Sequence, residues 1–175
     1  ACQAIRRLEE LASLENDKTE TAGGSDNMGR LTALKNRAWV TRAGVKVDRI
    51  ASAWLIRRWI DPNASFRFVA TKGYLPDSDE IRFDMYEAEY THQGDMCTFE
   101  VLLNLLDTGD EALQRIAEVV HDIDLKDRKF SRAETEGIAA LLSGIVAGTD
   151  DDEERIASGS KIFEHLYESF RHAER

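Results

Sequence analysis

The chain has 175 residues, and its 33 acidic side chains against 23 basic ones give a net charge of −10. That balance excludes bulk nucleic-acid binding by this chain alone, which needs a basic footprint. A hydrophobic content of 42% suits one soluble domain with a true core, and no apolar run reaches the roughly eighteen residues of a membrane span.

No basic-then-apolar leader opens the chain. Cys2 and Cys97 form neither a disulfide framework nor a paired metal motif, so a reducing, cytoplasmic compartment is the expectation. The first residue is alanine, which predicts a processed N-terminus or a piece cut from something longer. Residues 2–14 place Ala4, Ile5, Leu8, Leu11 and Leu14 at helical spacing. So short a helix needs a partner, and it reads as the tail of an upstream segment. Residues 15–30 are polar and glycine-rich, a flexible linker. The main domain is expected over residues 31–175.

Within it, AWVTR at 38–42 predicts a short strand, and an apolar helix follows from about Asp48 to Pro62 with Asp48 as its N-cap. SFRFVA at 65–70 alternates as a strand. Residues 81–93 predict one or two short strands. Helices follow: Thr98 to Leu106, then one capped by Asp110 and running to about Lys126. Ser131 with Glu134 reads as a capping box for a third, ending near Gly148. Thr149 and the acidic run 150–154 open the last helix, with Ile162, Phe163, Leu166, Tyr167 and Phe170 in its core stripe. The fold class is α+β and mostly helical: about five helices packed with a small sheet of short strands, without a repeating βαβ pattern.

Three clusters could carry chemistry. The first is the turn at Gly44 and the start of the apolar helix, where free N–H groups and the helix dipole favour an anion. Arg42, Lys46 and Arg49 would add charge there. Pairing of Arg49 and Arg57 with the chain's own carboxylates is the competing account. The second is THQGDMCTFE at 91–100, with His92, Asp95, Cys97 and Glu100 within ten residues. Imidazole and carboxylate together suit zinc, iron or manganese. The third is HDIDLKD at 121–127, where His121 and Asp124 are three apart on one helix face. Cys97 near a helix start, with His92 five residues away, is also a candidate nucleophile, weighed against an inert buried thiol.

The motifs WVTR, VDRIASAWLIRRWIDP, FDM, HQGDMCTFE and VVHDIDLKD, in that order, resemble the chromate-resistance protein B family in its C-terminal domain, from about Trp39 to Tyr167. Trp59 departs from the phenylalanine expected there. Members of that family occur beside chromate efflux pumps. In some the domain follows a chromate-sensing regulatory domain, in others a rhodanese-like one, and some stand alone. The metal motif of iron superoxide dismutases, also found near such pumps, is absent from the sequence. The resemblance implies a role in chromate resistance, by sensing or detoxification, and directs attention to Arg42, Asp48, Arg49, Arg57, Arg58, His92, Glu100, His121 and Asp124, each inside a matching motif.

Three readings follow. The first is a domain that binds a divalent metal through His92, Glu100, His121 and Asp124, or an oxyanion such as chromate through Arg42, Asp48, Arg49, Arg57 and Arg58, or both. The second is a metal-dependent redox or hydrolytic enzyme. The third is a structural module with an internal ion-pair network, acting through a partner domain. An upstream domain or a second copy of the chain is the expected macromolecular partner, with no nucleic acid bound by this fragment and no membrane.

Overall fold

The computed structural model describes residues 28–172. The helix expected at 2–14 and most of the linker lie outside the described residues. Residues 28–33 are helical, although the polar composition predicts linker as far as residue 30. They belong to a unit separate from the one that begins at Leu34, and the second unit carries everything below.

Its sheet has three strands, β1 (Ala38–Arg42), β2 (Ser65–Val69) and β3 (Glu80–Arg82), in the order β2-β1-β3. Both neighbours run parallel to β1, with Trp39 opposite Phe66 on one side and Ile81 on the other. A parallel pair needs a crossover, and α1 (Val47–Leu55) supplies it between β1 and β2. A single βαβ unit is therefore present, though not a repeating one. Only Glu80–Arg82 of the region beyond residue 80 forms a strand. The remainder to residue 96 is turns and two isolated bridges, Phe83 with Tyr90 and Gln93 with Met96.

α1 is buried from Asp48 to Leu55, its apolar residues in the core and its polar Asp48, Arg49 and Ser52 buried with them. It runs into a wider π-helical turn, Ile56–Ile60, which ends as the backbone turns extended at Asp61, before Pro62. The Asp61 carboxylate accepts the N–H groups of Asn36, Arg37 and Asn63 and the indole N–H of Trp39. Asp61 thus ties the end of that turn to the start of β1.

Four helices complete the unit: α2 (Thr98–Asn104), α3 (Glu111–Leu125), α4 (Thr135–Gly148) and α5 (Asp152–His172). α1 packs on α5, where Gly159 allows the approach. A Cβ at that position would clash with the Ile50 side chain. Trp54 then stacks on Phe99 and Phe163 and meets Tyr167 edge-on. The core stripe predicted for the last helix is buried at Phe163, Leu166, Tyr167 and Phe170, while Ile162 at its margin is only half-buried.

Three expected caps behave unequally. Asp110 caps α3 as predicted, accepting the Leu113 N–H at 3.0 Å. Asp48 does not cap its own helix; the N-cap position is Lys46, and Asp48 lies buried in the first turn. Nor does Ser131 cap α4. Its backbone is left-handed, with φ +50°, and its hydroxyl donates to the Arg128 carbonyl, so α4 begins later, at Thr135.

Candidate functional site

Parallel strands end together, and ligand sites of such sheets lie outside their carboxyl ends. Here that edge brings Arg42, the last residue of β1, beside Asp84, two residues past β3. The turn at Gly44, left-handed with φ +75°, leads into α1. Asp152 fixes that turn by accepting the N–H groups of Gly44 and Val45 at 2.7 and 2.8 Å.

Asp48 projects from the first turn of α1 to the start of α2. Its two oxygens accept the Thr98 and Phe99 N–H groups, both at 2.9 Å, so it caps a helix other than its own. Ser52, four residues on, adds a bond at 3.3 Å. Asp84 sits in a left-handed turn with φ +44°, a conformation aspartate tolerates better than most. It receives Arg49 at 2.9 Å and the Thr98 hydroxyl at 3.2 Å. Arg49 is anchored in turn on the Arg42 carbonyl.

His92 closes the cluster from the loop ahead of α2. Its Nε2 lies 3.2 Å from Asp48, 3.3 Å from Asp124 at the end of α3, and 3.6 Å from Asp84. One donor atom each from Asp48, Asp84 and His92 falls within a mutual 4.8 Å. The accumulated acid shows in the titration of the groups. Burial and the neighbouring Asp48 push Asp84 up, and the same two effects raise Asp124 to about 6. The hydrogen bond that His92 donates to Asp48 raises its own pKa.

His121 and Glu100 stand in a different place. His121 is fully buried on α3, with Nδ1 2.7 Å from Glu100 and Nε2 3.1 Å from Asp127. Glu100 also accepts the Cys97 N–H at 2.8 Å, completing the capping box of α2. Of the four residues the sequence suggests for a metal, then, His92 and Asp124 come together, and Glu100 with His121 forms a second, separate pair. The arginines divide too. Arg42 and Arg49 face Asp84. Arg57 pairs with Glu153 at 2.6 Å and lies over Phe66, and Arg58 pairs with Glu164 at 3.5 Å, both in the π-helical turn. Asp84 is the residue sequence reasoning passes over, although it lies in the FDM motif. Cys97 is buried, and desolvation with the nearby Asp48 charge pushes its thiol well up, the opposite of an activated nucleophile.

The family model for the C-terminal domain of ChrB matches residues 39–170. Protein ChrB of Cupriavidus metallidurans is 36% identical over 140 residues, which are 79% of this chain and 42% of that protein. The chain thus spans less than half the length of that relative. No solved structure matches the chain.

Proposed function

The chain belongs to the ChrB C-terminal domain family, and from that premise we propose that it serves chromate resistance by binding a divalent cation through His92, Asp48, Asp84 and Asp124. The observation that carries the reading is His92 Nε2, which faces three carboxylates at 3.2, 3.3 and 3.6 Å. Donors around a transition metal with bonds near 2.1 Å stand about 3.0–3.4 Å apart in octahedral or tetrahedral arrangements, close to that spacing. One imidazole with carboxylates is an oxygen-rich set suited to manganese or iron(II), and zinc accepts it as well.

Charge favours a cation over an oxyanion at this cluster. A tetrahedral dianion would meet Asp48, Asp84 and Asp124 directly, while Arg49 is already engaged by Asp84. The left-handed backbone at Asp84 agrees with the tendency of strained positions to cluster at working sites.

The test is equilibrium dialysis against manganese, iron(II) and zinc in turn, followed by elemental analysis of the wild type and His92→Ala. The expected result is about one ion per chain, bound tenfold or more weakly in the variant. A wild type that retains none of the three ions would return the cluster to an internal ion-pair network around a protonated His92.

A further inference from the structure

A cavity of about 930 Å³ opens beside the acidic cluster, between the first turn of α1, the end of α3, the loop after it and α4. Its charge runs against that of the chain. Lys46, Lys126, Arg128 and Arg132 line it, against three carboxylates, whereas the whole chain has 33 acidic and 23 basic residues. Two of those carboxylates are occupied within the protein. Asp122 accepts the Phe130 and Ser131 N–H groups, and Asp124 meets His92.

The cations are less committed. Arg132 is the exception, held by Glu118 at 2.8 Å and Glu134 at 3.6 Å. Lys46 and Lys126 have no ion-pair partner among the described residues, and Arg128 meets the third carboxylate, Glu136, at 3.9 Å with both side chains exposed. Thr135 belongs to the same lining. Val47, Ile123 and Ala139 give the lining an apolar part. The volume decides the size of the guest. It lies within the range of about 300–1,000 Å³ that accommodates organic ligands, far beyond what a bare tetrahedral oxyanion fills.

We propose that this groove binds a small organic anion, a molecule with an apolar body and a phosphate- or carboxylate-type group held by Lys46, Lys126 and Arg128. Asp124 links the groove to the acidic cluster, because it lines the cavity and its carboxylate meets His92. This link rests on the cation reading above; the anion site itself stands on the residues of the groove. A cation beside Asp124 would offset its charge and strengthen anion binding, and the coupling must be reciprocal.

Calorimetric titration of the full chain with phenyl phosphate and with inorganic phosphate, with and without manganese, tests the proposal. The proteins are the wild type, the Lys46→Ala/Lys126→Ala double variant and His92→Ala; the substituted lysines are exposed, so the double variant should fold. Phenyl phosphate should bind the wild type more tightly than inorganic phosphate, and the double variant should lose about tenfold or more. Manganese should tighten the wild type by about fivefold or more and leave His92→Ala unchanged. Equal affinity in wild type and double variant, or no phenyl phosphate bound up to about 10 mM, would overturn the groove. If the wild type takes up no manganese while the lysine dependence holds, the groove stands and the cation reading falls.

Discussion

His92 and His121 both meet carboxylates, and the two surroundings differ in how the charge is matched. His121 is sealed in, with one acid on each ring nitrogen and Phe130 edge-on to its ring. Its acids have further duties, Glu100 on the Cys97 N–H and Asp127 on the Lys129 N–H. His92 is 39% exposed, and a single nitrogen is shared by three carboxylates. Where each acid has its own donor, a histidine is a structural cross-link. Where several acids converge on one nitrogen, negative charge is left in excess, and a cation is the natural complement.

Exchanging either imidazole for a methyl group should separate the two roles most sharply. His121→Ala leaves Glu100 without its buried partner and should cost about 3–5 kcal/mol of stability, read by chemical denaturation, with ion binding retained in the folded fraction. His92→Ala should change stability by no more than about 1 kcal/mol, since the group is partly solvated, yet weaken manganese by about a hundredfold. If His121→Ala abolishes ion binding in folded protein, the division into two clusters is mistaken.

Acidification should move the two regions in opposite directions. At His121, burial acts to lower the pKa, but the bonds to Glu100 and Asp127 outweigh it and the pKa is raised. A histidine raised on folding contributes stability fully present below about pH 6.5 and lost as pH rises through the folded-state value. Stability should therefore decline above about pH 6.5, by at most about 1.4 kcal/mol per pH unit for one proton, and His121→Gln should flatten that slope. The other cluster must shed protons to take a cation. With Asp124 raised to about 6 and His92 also raised, manganese affinity should fall as pH drops through 6, by up to about tenfold per unit for each proton displaced. Affinity independent of pH between 5 and 7 would remove both groups from the ion.

Much of this was legible in the sequence, for reasons that differ by element. The apolar run after Asp48, the cap at Asp110 and the core stripe of α5 follow from periodicity and turn chemistry, and the structure has them. The all-parallel sheet was not legible, because β3 is only three residues long and one βαβ unit makes no repeat. His92, Asp124 and Asp48 stand out by residue type, but their grouping depends on tertiary geometry. His121 and Asp124, three apart, differ by about 60° around a helix. At the last turn of α3 that suffices for His121 to meet the capping box of α2 while Asp124 meets the loop carrying His92. Asp84 escaped because residues 81–93 read as strand, where an acid is ordinary. Its left-handed turn appears only once the chain is folded.

The smallest expected effect concerns the arginines of the π-helical turn that follows α1. Arg57 makes one short contact to Glu153, a long one from Nε to the Ala64 carbonyl at 3.4 Å, and stacks over Phe66 at 4.4 Å. Its ion pair is more than a third exposed on both sides, and such pairs contribute about 0–1 kcal/mol. Lysine keeps the charge and loses the planar stack, itself worth about 0.5–1 kcal/mol at an exposed site. Arg57→Lys should therefore lower stability by no more than about 1 kcal/mol and leave both manganese and phenyl phosphate affinities unchanged. A tenfold loss of either ligand would mean that this arginine reaches a binding site after all. The far end of the helix would then have to be joined to the cluster at its start through a rearrangement of the π-helical turn that carries Arg57.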